Sequence, residues 1–272
     1  MANKGKYYES QFEEATIELL REAHWQYTLG DDIHRKYIDP LIEEDLRNFL
    51  AVQYKDKNLT TSEIDGIVAN LRNTGGQNDY YALRNAFLLY RDGYDFAYSD
   101  SRDNPFRMEY IDFEHPDHNI FRCVNQFVMG QGRENRRPDI LLFVNGIPVC
   151  IIELKNPTKQ NATIRDAHTQ ICTRYMRDIP ALLKYCALAV ISDGAKNALG
   201  TTYTPFEFFY EWKKIENEDK AGKGLDTLRT LIRGALSPER ILEILRDYVY
   251  FPDPTKEDDT TEIVCRYPQF FA

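Results

Sequence analysis

The chain has 272 residues, 43% apolar and 28% charged, so it reads as globular and soluble, one large domain or two small ones. No run of about 18 apolar residues excludes a membrane span, and MANKGKYYESQFEEA lacks the apolar core of a signal peptide. A net charge of −9 speaks against a nucleic-acid binder on composition alone, but residues 133–177 hold eight Lys/Arg against four Asp/Glu, a basic strip of +4 in an acidic body.

Residues 7–24 show helical periodicity, with Phe12, Ala15, Ile17, Leu19 and Leu20 on the apolar face. Further helices are predicted at about 41–54, 61–73 and 79–91, with Ser62 as a cap and Thr74-Gly75-Gly76 as a stop for 61–73. Residues 107–113 and 119–129 alternate like strands. Two apolar runs follow, on either side of Asn145-Gly146. A helix is predicted over about 161–177, and 185–192 (YCALAVIS) reads as a strand buried on both faces. An aromatic strand pattern covers 202–212. Helices come at 223–234 and 238–248, the latter entered through Ser237-Pro238. Residues 252–262 are polar and read as a linker, and VCRYPQFFA reads as an apolar segment cut off within a longer chain. The order predicts a mixed central β-sheet flanked by helices, an α/β (α+β) layer fold.

Cys123, Cys150, Cys172, Cys186 and Cys265 are scattered, with no CxxC pair, and are expected to be reduced, buried thiols of a cytosolic protein. His24, His34, His115, His118 and His168 show no metal-ligand spacing and are read as surface or hydrogen-bonded histidines.

The chemistry concentrates in RRPDILLFVNGIPVCIIELKNP, residues 136–157. Asn-Gly between two apolar runs signals a hairpin. Period two puts Glu153 and Lys155 on one face of the second strand. A strict two-residue turn at Asn145-Gly146 would pair Val144 with Ile147 and set Asp139 against Ile152. A three-residue loop with a bulge would set it against Glu153. Pro148 has no N–H to give to a ladder, which favours the bulged register. Asp139 and Glu153 then stand about 5 Å apart, Cβ to Cβ. Two carboxylates in an apolar sheet repel and are costly to bury, and a divalent cation resolves both problems. Asp139, Glu153 and the backbone carbonyl of Leu154 are hard oxygen ligands suited to Mg²⁺. Lys155 beside them fits a role on a water or on developing phosphorane charge, and the chemistry indicated is phosphodiester hydrolysis. The bland alternative is a pair of solvated strand ends.

This segment resembles the PD-(D/E)xK nuclease superfamily, and more closely the N-terminal nuclease region of the motor (R) subunit of type I restriction–modification enzymes. RYMRDIPALLKYCALAVISDGAKNALGTTY, FEFFYEWKK and LIRGALSPERILEILRDYVYF resemble the continuation, so the likeness covers nearly the whole chain. The resemblance implies a restriction-endonuclease-like domain over 1–250, its catalytic core at about 105–215 with N-terminal helical additions. It implies that 251–272 is a linker and the start of an ATP-driven helicase motor lying beyond this sequence, which has no GxxxxGK[ST]. It assigns Asp139 and Glu153 as metal ligands and Lys155 as the catalytic lysine. Gln170 and Tyr175 match the family's glutamine and tyrosine on the following helix. Their spacing of five departs from its Gln-x-x-x-Tyr, giving about 140° around an α-helix instead of about 40°; either the helix is irregular or only Gln170 lies near the site. Glu13 or Glu14 is the candidate fourth acid, and Arg136, Arg137 and Arg174 are candidate DNA contacts. The function implied is a Mg²⁺-dependent endonuclease acting on double-stranded DNA beside methyltransferase and specificity subunits, with ATP used only by the motor. The alternatives are a DNA-binding or assembly module with a vestigial site, and a stand-alone repair nuclease or resolvase.

Overall fold

The computed structural model describes residues 2–100, 103–130, 135–155, 163–216, 223–252 and 260–272. In chain order, α1 (Ala2–Glu22) leads into β1 (Gln26–Leu29). Three helices follow: α2 (Glu43–Gln53), α3 (Thr61–Asn73) and α4 (Asp79–Asp92). The strands β2 (Tyr94–Phe96), β3 (Phe106–Met108), β4 (Phe121–Asn125), β5 (Ile140–Val144) and β6 (Ile147–Leu154) come next. A continuous helical segment then runs through α5 (Ile164–Thr169), a π-helical turn at Gln170–Tyr175 and α6 (Met176–Asp178). It is followed by α7 (Pro180–Leu183), β7 (Leu188–Ser192), β8 (Asn197–Gly200), α8 (Leu225–Ala235), α9 (Pro238–Asp247), β9 (Val249–Tyr250), β10 (Ile263–Val264) and α10 (Tyr267–Phe270).

Six strands form one mixed sheet in the order β1-β4-β5-β6-β7-β8, with β1–β4 and β6–β7 parallel and the other pairs antiparallel. It is the mixed sheet flanked by helices that the pattern predicts. One face carries Ile140, Leu142, Ile152 and Val190 into a large core with Leu20, Leu46, Ile67, Phe87, Leu231 and Ile244 from six helices. The other face carries Leu141, Phe143, Ile151 and Ile191 against Ala167, Ile171, Tyr175 and Ile179 of the α5–α6 segment. With both faces covered, every residue of β5, β6 and β7 is buried, which is why these runs are almost wholly apolar. No helix among the described residues is long and apolar enough to cross a membrane. All five cysteines are free thiols; Cys123, Cys150 and Cys186 are buried, and burial pushes the Cys123 thiol up to about 12.

The structure corrects several boundaries. Thr60, not Ser62, caps α3: its Oγ1 accepts from Glu63 N while Glu63 Oε2 accepts from Thr60 N, leaving Ser62 inside the first turn. The strand predicted at 107–113 stops at Met108. Tyr54 Oη takes the Glu109 N–H and Asn119 Oδ1 takes that of Asp112, so no ladder continues. The run 119–129 is a strand only to Asn125, since Gln126 turns to φ +56°. The aromatic segment 202–212 is not a strand. Thr201 and Thr204 hydroxyls hold the N–H groups of Tyr203 and Thr201, and only one bridge, Leu199 to Tyr210, survives. β1 and β2, four and three residues long, gave no readable period.

The hairpin turn is the tight form. Asn145 (φ +50°) and Gly146 (φ +77°) pair Val144 with Ile147 and Phe143 with Pro148. The register then shifts, and Leu142 pairs with Cys150, Leu141 with Ile151 and Ile140 with Ile152. The expected three-residue loop is therefore absent; the bulge lies one pair further on, with Val149 as the extra residue. Val149 and Cys150 accordingly enter the same core. The Pro148 argument selects the correct final register by a different route.

Candidate active site

Continuing that register by one pair sets Asp139 opposite Glu153, on the face covered by the α5–α6 segment. Asp139 Oδ2 accepts the Leu154 N–H at 2.7 Å, which holds the carboxyl across the end of β6. Glu153 is 1% exposed, and its Oε1 accepts from Lys155 Nζ at 2.7 Å. Lys155 N bonds Ser192 O at 2.7 Å, so the β6–β7 pairing fixes the lysine's backbone one residue past the strand.

The five-residue spacing of Gln170 and Tyr175 is resolved by the π-helical turn. A single i→i+5 turn brings both side chains to the same side, where Gln170 Nε2 donates to Tyr175 Oη at 2.7 Å. Of the two readings of the spacing, the irregular helix is the one observed. Lys155 Nζ also donates to Gln170 Oε1 at 2.7 Å, and Tyr175 Oη donates to Glu153 Oε2 at 3.2 Å. Glu153, Lys155, Gln170 and Tyr175 thus close a ring of hydrogen bonds. Gln170 is the hinge, its carbonyl turned to the cation and its amide to the phenol.

Glu13 and Glu14 separate. Glu14 is exposed, while Glu13 Oε1 accepts from Asn125 Nδ2 at 2.7 Å and Gln126 Nε2 at 2.9 Å. Asn125 pairs with Ile140, next to Asp139, and the Glu13 charge acts on the Asp139 carboxyl, so α1 delivers Glu13 to the same strand ends. Asn125 and Gln126 were not singled out in the sequence; an amide pair at the end of an alternating run was the only signal. Of the arginines, Arg136 is bound to Asp178 at 2.7 Å, and with Arg177 it holds that carboxyl down at about 2. Arg137 and Arg174 are exposed beside the site. Arg133, Asn156 and Pro157 lie outside the described residues.

Glu153 is buried and Asp139 half-buried, so the two carboxyls sit largely away from water. Burial and then the neighbouring Glu153 push the Asp139 carboxyl well above the usual carboxylate range. Burial raises Glu153 too, against the opposing pull of Lys155. Two such groups share one proton most cheaply, and a cation can take that proton's place. Their oxygens, with the adjoining Leu154 peptide, fit a hard divalent ion.

The fold and these residues define a class: an α/β protein with two acids and a lysine clustered at one end of the two central strands of a mixed sheet. The chain belongs to the family described as type I restriction enzyme R protein N terminus, whose pattern matches residues 6–208. It is similar to the type I restriction enzyme HindI endonuclease subunit of Haemophilus influenzae, 29% identical over 97% of this chain and 26% of that protein. It is also similar to a putative type I restriction enzyme endonuclease subunit, MjaIXP, of Methanocaldococcus jannaschii, 28% identical over 96% of this chain and 26% of that one. The EcoprrI endonuclease subunit of Escherichia coli is 31% identical over 46% of this chain and 40% of its own length. The chain spans about a quarter of the length of the first two relatives.

Proposed function

We propose that the chain is the metal-dependent nuclease region of a type I restriction enzyme R subunit, hydrolysing phosphodiester bonds of double-stranded DNA. The observation that carries this reading is the facing pair Asp139 and Glu153 with Lys155 bonded to Glu153. In it, Asp139, Glu153 and the Leu154 carbonyl would hold Mg²⁺, with Glu13 close enough for its charge to act on Asp139. When bound, the ion polarises a phosphate oxygen and acidifies a water. Lys155, steered by Gln170, orients the attacking water and meets the negative charge that develops on phosphorus. Tyr175 keeps Glu153 turned toward Asp139. Arg137 and Arg174 are placed to contact flanking phosphates.

A vestigial site is the poorer account. Two carboxyls brought together, one buried and one half-buried, are costly, and the hydrogen bond of Asp139 to Leu154 and the ion pair of Glu153 with Lys155 could each be made without placing the two acids side by side. The similarity to subunits of restriction complexes favours an assembled enzyme, with methyltransferase and specificity subunits and an ATP-driven motor, over a free-standing resolvase.

The test is Mg²⁺ calorimetry on the purified chain, alongside nicking of supercoiled plasmid. Wild type binds the ion, and Glu153→Ala does not while remaining folded. Equal binding by both would overturn the metal reading. Binding without nicking, with nicking restored by the motor and specificity subunits, would support the assembled-enzyme reading.

Tyr175→Phe keeps the ring that fills the core and removes the hydroxyl that closes the ring of hydrogen bonds. Cleavage by the competent enzyme falls about 10–100-fold, as for loss of a group that orients a ligand. Steady-state rates at saturating Mg²⁺ check this, with unchanged melting as the control for fold.

A further inference from the structure

The loop between β3 and β4 lies at the other end of the central strands from Asp139. Asn119 Oδ1 accepts from both Asp112 N and Asn145 Nδ2, stitching this loop to the hairpin turn. Within it two imidazoles turn onto one carboxylate. His118 Nδ1 is 2.9 Å from Asp112 Oδ2, and His115 Nδ1 is 3.4 Å from Asp112 Oδ1. The rings stack at 4.9 Å between centroids and 19° between planes. The Asp112 side chain is 6% exposed, while those of His115 and His118 are 62% and 53% exposed, so the cluster is anchored on one side and open to solvent on the other.

The carboxylate does not need the histidines. Its Oδ1 already accepts the N–H groups of Glu114 and His115, and its Oδ2 accepts Gln53 Nε2 at 2.9 Å. Asn119 Nδ2 bonds the carbonyls of Asp112 and Pro116, which fixes the loop itself. The 3.4 Å approach of His115 is too long for a strong hydrogen bond. Two stacked imidazolium ions would also repel. Proton donation therefore does not account for the second ring.

A metal ion does. Tetrahedral bonds of 2.0–2.1 Å place neighbouring ligand atoms about 3.4 Å apart. One donor atom from each of the three residues lies within 4.8 Å of the other two, and each imidazole nitrogen stands 2.9 or 3.4 Å from its own oxygen of the Asp112 carboxylate. We propose that Asp112, His115 and His118 form a second cation site, selective for a borderline divalent transition metal such as Zn²⁺, with a solvent-side position left open. Two nitrogens and one oxygen suit Zn²⁺ and its neighbours; Mg²⁺, which demands six hard oxygens, is excluded from it. The ligands ride on a loop already locked by Asn119 and Gln53, so little ordering is needed to bind. The site is independent of the nuclease reading. The histidine spacing of three carries no ligand signature, and Asp112, another three residues upstream, completes the set only through the fold.

The experiment is calorimetric titration of the purified chain with Zn²⁺ in excess Mg²⁺, and the visible spectrum of the Co²⁺ form. Wild type takes up one equivalent of Zn²⁺, and Co²⁺ gives the absorption of a low-coordinate site. His115→Ala and His118→Ala each weaken binding at least tenfold and remove that absorption; both rings are exposed, so these variants stay folded. Asp139→Ala binds as wild type. Zn²⁺ binding undiminished in both histidine variants would overturn the proposal, because the ion would then sit on the thiols or at Asp139. So would a wild type that takes up none at micromolar concentration.

Discussion

On the proposed nuclease reading, Asp139→Asn is expected to abolish cleavage and to stabilise the ion-free chain. The amide keeps the shape of the side chain and can still accept the Leu154 N–H, but it removes one of the two charges that would bind the ion. Loss of a group acting on developing charge costs about 10²–10³ in rate, and loss of the metal costs at least that much. The same change relieves the like-charge contact with Glu153, which should raise stability by roughly 0.5–2 kcal/mol, in the usual conflict between stability and activity. The pH dependence separates this from a packing effect. Both folded-state pKa values are raised, so the folded chain keeps a proton that the unfolded chain has released. That contribution to stability is complete below the unfolded values near 4 and is lost as pH rises through the folded ones. The variant's advantage should therefore be absent at pH 4 and grow toward pH 8. Buried Glu262 has the same sign but is common to both chains, so the difference in melting isolates the pair. Equal melting of the two chains at pH 8, or cleavage by the variant within tenfold of wild type, would refute this account.

Gly146→Val is expected to destroy the fold. A Cβ at this position would lie 2.1 Å from the Ile42 carbonyl oxygen and 3.0 Å from its carbon, and φ is +77°. The close approach has a purpose: Gly146 O accepts the Ile42 N–H at 2.9 Å, pinning the entrance of α2 to the hairpin turn. A β-branched residue meets both the clash and the forbidden φ, at a cost above about 4 kcal/mol, a large part of a domain's whole stability. Gly66→Val offers the comparison, since nothing lies within 4 Å of its Cβ position and it costs only helix propensity. Denaturant unfolding of the two variants checks this; similar midpoints would show that the turn yields.

The sequence displays the elements with long, clean periods. α3 matches its predicted bounds, 61–73, and α4 runs one residue beyond its own, because apolar faces of several turns outweigh local accidents. What it hides is decided by side chains capturing backbone groups. The Thr201 and Thr204 hydroxyls and the phenol of Tyr54 each end a run that alternation alone would continue. At the site, Asp139, Glu153 and Lys155 were readable from period and register. The approach of Glu13 through Asn125 and Gln126 was not, since it depends on how a distant helix packs.

Two single extra residues, Val149 in β6 and one residue in the π-helical turn, bring the site into phase. Each acts as a local length correction: it shifts everything beyond it and leaves everything before it in place. The two lie in different elements, so a change at one does not shift the other. Chains built on this plan should therefore tolerate a one-residue loss within 171–174, where an α-helical i→i+4 interval keeps the two side chains on one side, but not at 148–149, where loss of Val149 would set Asp139 against Ile152. The intervals from Asp139 to Leu142 and from Glu153 to Lys155 have no such slack, and a gap there would end the proposed chemistry. A motif searched at fixed spacing will miss members of such a family, whereas one that lets the helix interval vary by one will find them.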